Sequence, residues 1–320
     1  MKKGTIIALI VAIVLLLIGG ILVVMGLSYA GSSTPKSQLN RQEISIRENF
    51  EHISIDTGDC DVKFAMFSGR DDCMVQILEH EHVQHSVVVE DGTLKIKMND
   101  ERKWNDYVGI FHGLGKSESM EMTVYLPAAE YASLQVRTDT GDITVLQEPV
   151  FLEMVLRSDT GDISCVGVMG DTLDCMTSTG DIAVQNSAPN RTKLHSSTGD
   201  LQLSVVAGDE VHLQTGTGEV DAEKVNAGMF TCTSDTGEVE LEGVMAEEYL
   251  QIRTDTGDVG IEGCDAGRVD IQTGTGDVTG YFLTPKWFSA NSNTGDVKVP
   301  NTPEGGDCRI ETDTGDIHFK

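Results

Sequence analysis

The tripeptide Thr-Gly-Asp/Glu recurs along this chain at a spacing that leaves few folds open. Its glycine stands at Gly58 and then at Gly141, Gly161, Gly180, Gly199, Gly218, Gly237, Gly257, Gly276, Gly295 and Gly315. From Gly141 onward every step is 19 or 20 residues. Common helical repeats need about 33 residues or more, so so short a period in a β-rich sequence predicts one coil of a β-solenoid per repeat.

Columns read relative to the glycine show which side chains face inward. Five residues before it stand Val136, Leu156, Cys175, Leu194, Leu213, Cys232, Ile252, Ile271, Ala290 and Ile310. Seven before it the column runs from Leu134 to Cys308, and two after it from Ile143 to Ile317, both largely apolar. Apolar positions two apart mean strands with one buried face. Inward offsets are odd before the glycine and even after it. The glycine therefore marks a corner, where one extra residue keeps the same side buried. Three residues before it every coil from Thr138 to Thr312 carries Ser or Thr. Stacked about 4.8 Å apart, such hydroxyls can satisfy one another and the backbone at the corner.

An acidic column follows the glycine directly: Asp142, Asp162, Asp181, Asp200, Glu219, Glu238, Asp258, Asp277, Asp296 and Asp316. Two like charges at that spacing repel by roughly 0.9 kcal/mol even in bulk water. Two arrangements relieve the cost. Each carboxylate can accept backbone N–H bonds at the turn. Alternatively Asp142, Asp162, Asp181, Asp200, Asp258, Asp277, Asp296 and Asp316 form a Ca²⁺ ladder, although the glycine-rich nonapeptide of calcium β-rolls is absent. No other cofactor is expected.

Residues 43–126 are less regular and read as a β cap. Ile53, Gly58 and Val62 make one early coil in register. Asp91-Gly92 marks a hairpin, residues 101–121 an excursion loop, and MTVYLP a strand ending at Pro127. Residues 127–320 are the solenoid. Glu79-His80-Glu81-His82 with His85 is the one histidine cluster; on a strand His80 and His82 would share a face, solvated or metal-holding.

The uncharged run from Thr5 to Leu27 follows Lys2 and Lys3. Its 23 residues would span about 35 Å as a helix, enough to cross a bilayer. Residues 1–4 are then a cytoplasmic stub, 5–27 a transmembrane helix, 28–42 a linker, and the rest lies outside the membrane. Acidic residues outnumber basic ones 51 to 23, a formal charge of −28. Nucleic acid is therefore a poor partner, while cell-wall material, basic peptides and basic proteins are suitable ones. Seven cysteines show no metal spacing, and several fall in apolar columns, which suggests buried thiols; a Cys60–Cys73 bridge is the other arrangement.

Every coil carries a similar acid, so none is set apart as an active site. No G-x-S-x-G, H-E-x-x-H or P-loop occurs. Arg137 and Arg157 beside the acids, and Trp104, Tyr107, Phe111 and His112 in the loop, are the only seeds of a Ca-dependent polysaccharide-active enzyme. An enzyme is not expected.

The order of strands, the Leu-Pro stop and LQVRTDTGDITV with its recurrences resemble a bacterial β-strand-repeat family of unknown function whose members are called candidate adhesins. Met122 to Ile143 carries the likeness best. It implies a β-helix-like domain tethered to the envelope, in some cases near envelope-stress systems of Gram-positive bacteria, with no catalytic residues to carry over. The expected architecture is thus an all-β, right-handed solenoid of about 19-residue coils. The expected role is envelope adhesion or binding, with a self-assembling scaffold as the alternative. Its last coil would be the edge of the stack, guarded by His318 and Lys320.

Overall fold

The computed structural model describes residues 39–66, 69, 71–101, 119–146 and 150–320. Among them every regular element is a strand. No helix there is long and apolar enough to cross a membrane, and the span expected at 5–27 lies outside the described residues.

The first seven strands are β1 (Leu39–Ile46), β2 (His52–Asp56), β3 (Cys60–Met66), β4 (Cys73–His80), β5 (Val83–Glu90), β6 (Thr93–Asp100) and β7 (Met120–Leu126). The repeats supply β8 (Glu130–Thr138), β9 (Ile143–Val145), β10 (Val150–Thr160), β11 (Ile163–Val166), β12 (Met169–Thr179), β13 (Ile182–Thr198), β14 (Leu201–Thr217) and β15 (Val220–Thr236). After them come β16 (Val239–Glu242), β17 (Met245–Thr256), β18 (Val259–Thr275), β19 (Val278–Phe282) and β20 (Lys286–Thr294). The chain closes with β21 (Val297–Lys298), β22 (Gly306–Thr314) and β23 (Ile317–Phe319).

Successive coils pair in parallel, one repeat out of step. Leu156 lies beside Val136 on one side and Cys175 on the other, and Leu213 beside Leu194 and Cys232. The inward columns are stacked as their spacing predicts and form one continuous apolar core. A further inward column lies seven residues after the glycine, with Val168, Val206, Val225, Val244 and Cys264 all buried. Between them the chain bends at a second corner, six residues after the glycine. There Gly167, Asn186, Val205, Lys224, Gly243 and Gly263 all have φ between 49° and 73°.

The irregular region joins the stack more fully than its sequence suggests. β2 lies between β6 and β8, and β3 between β7 and β9, all in parallel, so β2–β3 is a true coil and β6–β7 the layer beneath it. The hairpin at Asp91-Gly92 is present, with Glu90 opposite Thr93 and φ of 51° and 72° at the turn. β4 caps β7 antiparallel, and β1 caps β4. Residues 39–42 are therefore strand, not the linker expected there; Leu39 to Ile46 pair residue by residue with His80 to Cys73. Only Leu39, Ile44 and Ile46 advertise that strand, because the residues between them are polar and mostly face solvent.

The far end of the stack departs from chain order. β22 lies between β18 and β20, and β23 between β19 and β21. The last coil in sequence is thus inserted, and the preceding one, β20–β21, forms the open edge. His318 and Lys320 do not guard that edge, as expected from sequence. The cause is in the connection: Val299 to Gly305 carry the chain back far enough for residues 306–319 to enter between two formed coils.

All seven cysteines are free and buried. Burial pushes the Cys60, Cys73, Cys232 and Cys308 thiols up to about 12, so they stay protonated and unreactive at neutral pH. One core position is frustrated. Thr192 occupies the column filled elsewhere by Leu, Val and Phe, and its buried hydroxyl has no partner. Thr192→Val is expected to raise stability by about 1–2 kcal/mol, measured by denaturant unfolding, because it removes an unpaired polar group at nearly constant volume.

Candidate functional site: an acidic corner and an acid-rimmed groove

The repeat motif builds its corner from three interlocking bonds. From Gly161 to Gly315 the motif glycines have φ near 150°, and they bring successive coils so close that a Cβ on Gly199 would lie 2.0 Å from the Gly180 carbonyl oxygen. The Ser/Thr three residues earlier donates its hydroxyl to the glycine carbonyl of the neighbouring coil: Ser158 to Gly141 at 3.1 Å, Ser196 to Gly180 at 2.9 Å, Thr215 to Gly199 at 3.0 Å. The acid accepts the backbone N–H of the next coil's acid, as in Asp181 to Asp162 and Asp200 to Asp181, both 2.8 Å. The same bond joins Asp162 to Asp142, Glu219 to Asp200, Asp277 to Asp258, Asp316 to Asp277 and Asp296 to Asp316. The eight aspartates singled out in the sequence thus lie in one file along an edge. One oxygen of each, except Asp296 at the open end, is tied to backbone. Among the described residues no three Asp, Glu, His or Cys side chains converge as a metal site.

The two glutamates interrupt the pattern. A glutamate carboxylate sits one methylene farther out, and no such bond follows Glu219 or Glu238. The hydroxyls that belong beside them, on Ser234 and Thr254, are buried without partners. Next to this break the carboxyl of Glu240 lies over Gly260, where a Cβ would come within 2.4 Å of it. The residue is exposed overall, but that side of the carboxyl is screened from water. Burial, then the hydrogen bond and charge of Glu238, then Glu262 and Asp221, push Glu240 up to about 7. Its folded-state affinity for the proton exceeds the unfolded one, so its contribution to stability falls as pH rises from about 4.5 to 7. Glu240→Gln is therefore expected to raise the melting temperature at pH 8 and to flatten its decline between pH 5 and 8, read by scanning calorimetry.

A third corner forms a groove. Ala207, Gly208, Ala227 and Gly228 make its floor, and Asp209, Glu210, Glu247 and Glu248 its rim, enclosing about 730 Å³. Met245 and Glu247 also line an adjoining cavity of about 370 Å³ with Asp265, Ala266, Gly267, Thr284 and Lys286. The floor is low because residues here pass close over the preceding backbone; a Cβ on Gly208 would meet the Pro189 carbonyl at 2.3 Å. Arg191 hydrogen-bonds Glu210 at 2.7 Å and holds its carboxyl below the usual range. Lys286 is buried at the end of the second cavity and donates to Asp265, to the Ala266 carbonyl and to Thr284. All three of its donors are used, so it anchors the groove wall. Sequence reasoning missed this groove, although its small floor residues recur eight to ten residues after the corner glycines.

The histidine cluster resolves differently from its sequence reading. β4 ends at His80, and Glu81 and His82 form the turn, so His80 and His82 share no strand face. The pair that meets is Glu79 and His85, both buried. His85 Nδ1 lies 2.8 Å from Glu79, whose Oε2 also accepts the His85 backbone N–H at 2.9 Å. Gln42 donates to the other Glu79 oxygen at 2.8 Å, and Thr57 Oγ1 lies 2.8 Å from His85 Nε2. Hydroxyl, imidazole and carboxylate follow the order of a nucleophile relay. However, Thr57 is only 4% exposed and Met98 covers it. Without a path for substrate, the network ties β1, β4 and β5 to the first coil. The aromatic residues expected in loop 101–121 lie outside the described residues.

A parallel stack with one glycine–acid corner per coil defines a repeat-built β-solenoid whose coils differ mainly in the side chains they turn outward. The chain belongs to the Toastrack family (DUF4097), whose sequence profile matches residues 50–241 and 209–320. Solved structures with a similar fold include a candidate adhesin from Bacteroides fragilis, 15% identical, covering 89% of this chain and 99% of that one at a TM-score of 0.39. A candidate lipid-binding protein from Parabacteroides distasonis is 16% identical over 73% of this chain and 94% of its own, TM-score 0.47. A candidate adhesin from the same species is 10% identical over 89% and 98%, TM-score 0.46. No curated protein matches. The resemblance read from Met122 to Ile143 thus identified the family.

Proposed function

We propose that this chain is a non-enzymatic binding domain of the bacterial cell envelope, held outside the membrane by a helix over residues 5–27. Its ligand is a basic, extended segment of a peptide, protein or cell-wall component. The observation that carries this reading is the third-corner groove, with its small floor and a rim of Asp209, Glu210, Glu247 and Glu248. A floor of Ala and Gly lets an extended backbone lie close, and carboxylates on the rim suit Lys or Arg side chains. The file of acids along the first corner adds long-range attraction for such a ligand. In this reading Ca²⁺ acts as a counter-ion along that file.

Calorimetric titration with an oligolysine peptide tests the proposal. Glu247→Lys with Glu248→Lys is expected to weaken binding at least tenfold. Asp162→Asn, Asp181→Asn and Asp200→Asn together should change affinity only a few-fold and reduce its salt dependence. Asparagine keeps the oxygen that accepts the next coil's N–H, so that triple variant removes charge without cutting the ladder. Equal binding by the groove variant and the parent would discard the groove as the site.

A further inference from the structure

The two ends of the stack are finished differently. At the start, antiparallel β4, β1 and β5 cover the first layer. At the other end, among the described residues, β20 pairs with β22 on one side only, and β21 with β23 on one side only. Edge strands of soluble proteins are commonly blunted by charge, proline or a bulge. β20 has none of these past its first residue: Trp287 to Thr294 reads WFSANSNT, without a charge, in a chain of formal charge −28. Trp287 is 58% exposed, and Phe288 and Ala290 of the core columns are only half-buried because nothing stacks on them.

We propose that this edge docks a second copy of the same chain, with the two β20 strands antiparallel across a two-fold axis. Two copies carrying this much negative charge repel over most of their surface. The uncharged stretch 287–294 of that edge is where they can approach, and a self-complementary, isologous contact joins unpaired backbone groups on both sides. It also covers Trp287, Phe288 and Ala290. Among the described residues the opposite end offers no free coil to stack on, which disfavours a head-to-tail filament. This inference stands independently of the groove.

Disulfide trapping in the full chain, solubilised in mild detergent, tests it. Native thiols are buried, so a single new surface cysteine reports alone. Ser289→Cys, Asn291→Cys and Asn293→Cys are compared with Gln214→Cys, an exposed residue in the middle of the stack. At least one edge cysteine is expected to give a covalent dimer at ten times the Gln214→Cys yield under copper-phenanthroline oxidation. The yield should rise with added NaCl, which screens the repulsion between copies. Adding Ala290→Lys, which places a charge at a half-buried position that the pair would cover fully, should bring it down to the Gln214→Cys level. Trp287→Lys replaces that variant if circular dichroism shows it unfolded. Background yields at all three edge positions, as a filament or a monomer would give, overturn the proposal; so does trapping that survives the lysine in a folded chain.

Discussion

Gly199→Ala is expected to cost more than about 4 kcal/mol and to lower the melting temperature by roughly 10 °C. The reason is geometric. The new Cβ would sit 2.0 Å from the Gly180 carbonyl oxygen and 2.5 Å from its carbon, with φ at 147°. Both obstacles are backbone, so no side chain can swing away. Relief requires the two coils to separate, which would also break the Ser196–Gly180 and Asp200–Asp181 bonds at the same corner. Gly92 supplies the control. It also has positive φ, 72°, but nothing lies within 4 Å of the added atom. Gly92→Ala should lose only about 1–2 kcal/mol, the cost of the left-handed conformation alone. Equal losses for the two variants, by thermal unfolding, would show that close approach is not what the glycine column serves.

Glu79→Ala is the second large effect. Glu79 accepts from the His85 backbone, faces the His85 ring and takes a bond from Gln42, all within a buried site. Removing one partner of a buried polar network leaves the others unpaired and typically costs 3–5 kcal/mol. The damage should be local. Hydrogen exchange is expected to speed up in β1, β4 and β5 while the coils from β12 to β18 keep their protection. Glu79→Gln retains an acceptor oxygen and should lose less. A melt within 1 kcal/mol of the parent for Glu79→Ala would mean that the β4–β5 connection holds by apolar contacts alone.

Much of the fold was legible in the sequence, because every coil repeats the same demands. Leu156, Cys175 and Leu194 fall in one column in the chain and in one stack in space. The Ser/Thr column, read as a hydroxyl ladder, does bond the corner backbone. Its partner is the glycine carbonyl of the adjacent coil, which no single-coil pattern displays. What escaped notice depends on one-off pairings. β1 is too polar to stand out, and the insertion of β22 exchanges two coils of nearly equivalent pattern, so periodicity is blind to it. The groove was hidden for another reason: Gly208, Ala227 and Gly228 signal a close approach of backbones, and only the stack shows that the space above them is open. Likewise Glu79 and His85 are brought together by the Glu81-His82 turn, whereas alternation had pointed to His80 and His82.

The exchanged coils have a consequence for how the chain matures. Residues 286–298 leave the ribosome before residues 306–319, yet β20 and β21 have no lasting ladder partner until those later residues slot in beside them. Zippering from the amino-terminal side can therefore proceed smoothly only as far as β19. Beyond it the growing structure must either wait or adopt a provisional stacking of β20 on β18 that is later pried apart. The inserted segment acts as a keystone: β20 and β21 gain their ladder partners only after translation has delivered residues 306–319.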